Sequence, residues 1–283
     1  MIFNLWAMTH APEFLGQLST DGKSIKCTSN GGQTSQQDFA SLVSVYSQEA
    51  GVVQLELMSN KKVSEIAVTR RLLETVTTTP EFAATCSICF SLNALHAQVP
   101  TLSLLEQNQQ SYLVGLKANQ KKLYQLAQQV LQQSTPVSVN SELDKTHGRI
   151  IKPTVKVYQV PVELPNRWAK CGIQRIVWIL REGERDGKSV SEWHCYLSNA
   201  DLDAAAFMIL IRNHWQIENG LHWVKDVTFE EDYPPRRGGQ SPISWAVLNS
   251  FMITLARRLG ARTVPDAKRK LTNQVHKVFL WLT

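Results

Sequence analysis

Three strand-like runs precede the first helix-periodic segment, and that order restricts the fold of this chain more than any other feature. Residues 16–28 read as a strand that carries Asp21 at or near a tight Asp-Gly turn. A polar Gly/Ser/Gln stretch separates it from residues 39–46 (FASLVSVY), a run suited to a buried strand. Glu49-Ala50-Gly51 then turns the chain into residues 52–58, which alternate as a hairpin partner would. Only at residues 64–76 does a 3.6-residue period set in, with Ser64 placed to cap the helix. A strand at 85–92 ending at Asn93, a helix at 101–107, a strand at 112–116 and an amphipathic helix at 119–133 follow. Three strands followed by alternating helices and strands describe an α/β sheet that mixes antiparallel and parallel pairs.

From residue 137 to 198 the texture changes to strand-like pieces, with a hairpin signal around Arg185-Asp186-Gly187. Helices resume near residue 201 and carry the run HWQIENGLHWVKD at 214–226. On an α-helix His214, Glu218, His222 and Lys225 fall at i, i+4, i+8 and i+11, along one face. A carboxylate between histidines and a lysine suits a metal site or phosphate chemistry. A solvated Glu–His pair with a nearby lysine is the plainer alternative, and pattern alone favours it. His214 and His222 have no third residue at a zinc-ligand spacing. Trp178, Trp193, Trp215, Trp223 and Trp245 read as core residues rather than base-stacking platforms.

Composition narrows the function classes. With 283 residues, 43% apolar and 19% charged, the chain has the makings of a real core, and disorder is excluded as its general state. The net charge of +6 is unevenly placed: from Arg236 onward nine Lys/Arg face one acid, so residues 1–235 carry a net −2. Basic charge gathered at one end points to a polyanionic partner. Five scattered cysteines do not form a disulfide framework, and the Cys86/Cys89 pair lacks the companions of a zinc site. The N-terminus has no signal-peptide pattern, and Asn93, His96, Gln98 and Pro100 interrupt the uncharged stretch 82–105. The expectation is a cytoplasmic protein with no membrane segment.

Asp21 on the first strand, Asn93 after the fourth and Glu218 on a late helix stand at the three points where ribonuclease H-like nucleases and DDE transposases place their acids. Longer strings sharpen this: TDGKSIKC (20–27), LVSVYSQEAGVV (42–53), NKKVSEI (60–66), LNALHAQ (92–98), YLVGLKANQKKLYQ (112–125), HGR (147–149), YLSN (196–199) and IRNHWQIENGLHWVKDVTFEED (211–232). In this order they resemble the bacterial insertion-sequence DDE transposases of the H-repeat-associated branch, over most of the chain up to about residue 260. The resemblance implies a ribonuclease H-like mixed sheet with flanking helices and a β-rich insertion before the glutamate helix. It divides the chain into a remnant of an N-terminal region (1–15), the first part of the core (16–135), the insertion (136–200), the glutamate helix with the end of the core (201–260) and a basic C-terminal tail (261–283).

It further implies Asp21 and Glu218 as first and third catalytic acids holding two Mg²⁺ or Mn²⁺ ions, because hard dications take oxygen ligands. The second acid would open a D-A-L-H-C-Q string, which here reads Asn93-Ala94-Leu95-His96-Ala97-Gln98. An amide still offers an oxygen, but one unit of ligand charge is lost. The implied reaction is phosphodiester hydrolysis at transposon ends followed by strand transfer, by a homo-oligomer assembled on DNA, impaired by Asn93 and by the missing N-terminal segment. A catalytically inactive DNA-binding relic or regulator is the alternative. DNA contacts are expected from Lys225, from Arg149 of the HGR string, from Arg212 and His214, and from Arg237, which follows two prolines where the family has an S-R-I-R-like string. Lys117, Asn119 and Gln120, where a strand meets a helix, either bind phosphate or form a solvated first turn.

Overall fold

The structure is a computed structural model that describes residues 2–10, 16–30, 38–59, 64–79, 88–145, 150–161, 164–185, 187–234, 238–274 and 276. The chain divides into two compact units, one of residues 1–15, 19–76 and 215–283, the other of 16–18 and 77–214. The architecture is the expected α/β one, a ribonuclease H-like arrangement of mixed strands and flanking helices with a β-rich insertion.

In the first unit, strands β1 (Gln17–Asn30), β2 (Asp38–Ser47) and β3 (Gly51–Ser59) form an antiparallel set in the order β3-β2-β1. The turn expected at Asp21-Gly22 is absent: β1 runs straight through, with Asp21 opposite Ser44 and Gly22 opposite Val43. The Asp-Gly dipeptide has a different cause here. A Cβ at residue 22 would lie 2.7 Å from the Glu65 carboxylate, so the glycine makes room for Glu65 while its backbone stays extended.

Helix α1 (Ile2–Thr9) is tied to β3 by Asn4, whose side chain donates to the Leu55 carbonyl at 2.9 Å and accepts from the Leu55 amide at 3.1 Å. Helix α2 (Glu65–Thr78) starts as expected, with Ser64 Oγ accepting from the Ala67 amide at 3.4 Å. The unit's core joins Ile25, Leu42, Tyr46 and Leu55 of the strands to Ile217 and Leu221. Burying each such side chain contributes about 1.5–3 kcal/mol, which fixes the segment after residue 215 to the inner face of the sheet. Part of the basic end folds into the same core, through buried Val264 and Ala267.

In the second unit, β4 (Cys89–Leu92) runs parallel to β5 (Ser111–Leu116), with α3 (Val99–Gln107) between them and α4 (Lys121–Gln133) after. The start of β1 joins this unit, its Gly16 carbonyl accepting from the Cys89 amide at 3.2 Å. The β-rich region supplies β6 (Ser138–Ser141), β7 (Ile150–Gln159), β8 (Arg175–Arg185) and β9 (Lys188–Ser198). Its last strand pairs antiparallel with β5, Leu113 opposite Ser198, so the insertion extends the sheet as β4-β5-β9-β8-β7-β6. Helix α5 (Ala204–His214) covers it with Phe207, Met208 and Ile211. Of the five tryptophans expected in the core only Trp178 is buried, its indole donating to the Ala127 carbonyl at 3.1 Å; Trp193, Trp215, Trp223 and Trp245 are exposed. Cys86 lies outside the described residues, while Cys27, Cys89, Cys171 and Cys195 form no disulfide among the described residues. No described helix is long and apolar enough to cross a membrane.

Candidate metal centre

The segment after His214 does not continue as the straight α-helix its spacing suggests. Residues Glu218–His222 and Val224–Thr228 form two π-helical turns, in which the Trp223 amide donates to the Glu218 carbonyl and the Phe229 amide to the Val224 carbonyl. Each i→i+5 turn holds about one residue more than an α-turn, so the residue seven past Glu218 is rotated away from it. Gly220 allows the first of these turns to lie close to the sheet: a Cβ there would stand 2.4 Å from the Tyr46 hydroxyl and 3.1 Å from Arg257 Nη2. The single face of four residues expected from the sequence is therefore overturned. His214 belongs to the second unit, where its buried ring shares a 3.1 Å hydrogen bond with Ser91 Oγ.

The first unit brings together Asp21, Glu218 and His222, each offering a ligand atom, all within 4.8 Å of one another. His222 Nδ1 lies 3.3 Å from Glu218 Oε2 and 3.8 Å from Asp21 Oδ2. The side chains grade outward, His222 8% exposed, Asp21 20% and Glu218 48%, so the group opens toward solvent on the Glu218 side. Burial pushes the Asp21 carboxyl up to about 6, with Glu65 and Glu218 adding repulsion and His222 opposing it. Glu218 is held below the usual carboxylate range, chiefly by its hydrogen bond with His222. Two oxygen donors and one imidazole nitrogen, converging from a strand and a helix, fit one divalent cation.

The sign of the Asp21 shift has a measurable consequence. Between 3.8 and about 6 the folded chain holds a proton that the unfolded chain has released, so stability falls as pH rises through that window, by about 3 kcal/mol in all. A cation must displace that proton. Mn²⁺ affinity is expected to drop about tenfold per pH unit below about 6 and to level off above it. Calorimetric titrations on both sides of that value check this; a flat affinity would contradict it.

Beside Asp21 lies a network of ion pairs that the sequence did not announce. Lys23, on the same face of β1, is buried and reaches Asp226 at 2.6 Å and Asp232 at 3.7 Å; Lys26 also pairs with Asp232. Lys225 is only 1% exposed, 3.6 Å from Glu231 Oε1 and donating to the Ala246 carbonyl at 3.3 Å. Its ammonium faces the interior, where these two groups hold it, away from the surface on which a DNA contact was expected.

Asn93 sits in the second unit at the end of β4, where its Oδ1 accepts from the Leu95 amide at 2.9 Å and caps the short 3₁₀ turn Ala94–His96. Asn119 and Gln120 brace that turn, donating to the Ala94 and Ala97 carbonyls at 2.8 Å each. Their amide groups are engaged with protein, while Lys117 remains exposed. Arg212 pairs with Glu142 at 2.5 Å. Arg149 and Arg237 lie outside the described residues.

The sequence reading missed His222 as a partner of Asp21, because the third ligand comes from a strand about two hundred residues earlier. Its only local signal was the i,i+4 spacing from Glu218.

With this geometry in place, comparison with known proteins gives the class. The transposase DDE domain model matches residues 13–237, and the chain belongs to that family. It is similar to "Putative transposase YncI" of Escherichia coli O157:H7, 27% identical over 255 residues, covering 85% of this chain and 61% of that protein. It is also similar to "H repeat-associated putative transposase YhhI" of Escherichia coli K12, 24% identical over 252 residues, covering 83% and 62%. "Putative protein YbfL" of the same strain is 25% identical over 244 residues, covering 80% and 60%. The chain thus spans about three fifths of the length of these curated relatives.

Proposed function

We propose that the chain acts in DNA transposition as a metal-dependent phosphodiester hydrolase and strand transferase at transposon ends, with a centre weakened by Asn93. The observation that carries this reading is the convergence of Asp21, Glu218 and His222 within 4.8 Å in a member of the DDE family. Asp21 and Glu218 would hold a divalent ion, Mg²⁺ or Mn²⁺, and the amide at residue 93 stands in the sequence where the family has its second acid. The bound ions supply positive charge to the phosphodiester oxygens as charge builds on them.

The chain's own residues do the rest. Asp21 is fixed mid-strand by its pairing opposite Ser44 and sits in a largely dry position. Glu218, half-exposed and ionised at neutral pH, presents its carboxylate where DNA can approach. Lys117, Arg212, Arg149 and Arg237 are the proposed phosphate contacts, acting in a homo-oligomer assembled on DNA in the cytoplasm. Contacts of this kind make binding fall steeply as salt rises.

The test is nicking of DNA carrying the element's terminal repeats, with Mg²⁺ or Mn²⁺, by the chain and by Asp21→Asn. Loss of both nicking and Mn²⁺ binding in the variant is the expected result; Mn²⁺ binding unaffected by Asp21→Asn would sink the reading. Asn93 favours a second reading, an inactive DNA-binding relic or regulator. Salt-sensitive DNA binding with no detectable nicking would support it.

A further inference from the structure

His222 is the one member of the group whose role the DDE pattern of three acids does not assign. We propose that His222 Nδ1 is a direct ligand of the cation held by Asp21 and Glu218, so that the site has two oxygens and one nitrogen and prefers first-row transition ions to Mg²⁺. This rests on the metal-dependent reading above and adds the ligand set and the ion preference.

Distances come first. Two ligands bonded to one cation at about 2.1 Å stand about 3 Å apart at a right angle and about 4.2 Å apart when opposite. His222 Nδ1 lies 3.3 Å from Glu218 Oε2 and 3.8 Å from Asp21 Oδ2, both inside that window. The same nitrogen faces both acids, and the three ligand atoms all lie within 4.8 Å of one another.

The ring's surroundings agree. Nε2 is buried and has no hydrogen-bond partner among the described residues, so Nδ1, which meets Glu218 Oε2, is the ring nitrogen that faces the acids, and a cation would displace the proton shared there. The imidazole is fixed between core residues Leu221 and Val224 in sequence, on a turn whose backbone bond closes from Trp223 to Glu218. Glu218 and His222 therefore move as one piece, opposite an acid fixed by sheet pairing.

Chemistry supplies the preference. Mg²⁺ keeps to oxygen and sheds water reluctantly, whereas imidazole suits first-row transition ions. A nitrogen ligand thus raises affinity for a transition ion while adding little for Mg²⁺. If His222 were only a positive charge balancing two acids, it would repel every dication and give no such preference.

The experiment uses the full chain with Mn²⁺ alone as probe. Pulsed EPR of the Mn²⁺ complex is expected to show nitrogen-14 modulation that changes to the nitrogen-15 pattern with labelled histidine and disappears in His222→Ala. Titration is expected to show Mn²⁺ bound at least about tenfold more tightly than Mg²⁺, the ratio falling to within about threefold in His222→Ala. Should that variant not fold, His222→Gln replaces it and is expected to lose the same nitrogen signal. Mn²⁺ binding that depends on Asp21 but shows no nitrogen modulation would overturn the assignment of His222 and leave the metal-dependent reading standing. Mn²⁺ binding that is absent, or unaffected by Asp21→Asn, would overturn both.

Discussion

Replacing Asn93 by aspartate is expected to raise metal-dependent nicking of transposon-end DNA by at least about tenfold, with little change in stability. The structural side of this expectation is local. Asn93 caps a 3₁₀ turn through its Oδ1, and aspartate offers an oxygen in the same place. Aspartate and asparagine are near-equal caps, so the exchange leaves the turn in place. Asn119 and Gln120 hold the following carbonyls from the other side, which keeps residue 93 where it is.

The electrostatic side is larger. If residue 93 ligates a cation, aspartate restores one unit of ligand charge, and at an effective dielectric near 20 a direct charge–charge contact is worth about 4 kcal/mol per unit of cation charge before desolvation is subtracted. Even a small remainder exceeds the ~1.4 kcal/mol that corresponds to tenfold. Asn93→Ala serves as control, since it removes the cap, costs about 1 kcal/mol of stability and gives no gain in rate. Nicking rates that are equal for the chain and for Asn93→Asp would show that the lost charge at residue 93 is not what limits the chemistry.

Much of the sheet was legible because long β-branched runs leave few options. The strand from 39 to 46 and its hairpin partner appear where the apolar pattern puts them, buried on both faces from Leu42 onward. Asp21-Gly22 was misread because Asp-Gly is a turn dipeptide, and the real reason for the glycine is a carboxylate packed over it from another element. The glutamate segment was legible as helical but not in its twist. Spacing of i+4 reads the same in α- and π-turns, while spacing of i+7 does not, so Glu218 and His222 kept their relation and Lys225 lost its own. The exposed tryptophans were misjudged for a similar reason, since their burial depends on which way each element is turned. The change at residue 93, by contrast, needed no structure: it is a difference of one letter in an otherwise matching string.

Lys225→Met tests that rotation directly, and it is expected to destabilise the fold without touching DNA affinity. Glu231 is as buried as Lys225, and apart from the lysine its carboxylate is met by Asn249 Nδ2 at 3.1 Å. Removing one partner of a buried pair leaves an uncompensated charge and costs about 3 kcal/mol or more. For a chain of this size that corresponds to a fall in melting temperature of about 6–12 °C. Methionine fills the space of the lysine stem, so the loss reports the stranded carboxylate rather than a cavity. Adding Glu231→Gln to Lys225→Met removes that charge, and the double variant is expected to regain most of the lost stability, because replacing both partners of a buried pair is often close to neutral. DNA binding gives the opposing measurement. An ammonium that reached a phosphate would contribute about one unit to the salt slope of binding. A Lys225→Met variant with an unchanged melting temperature and a shallower salt slope would mean that the lysine points outward to DNA; an unchanged slope with a lower melting temperature places it inside, as the pairing with Glu231 requires.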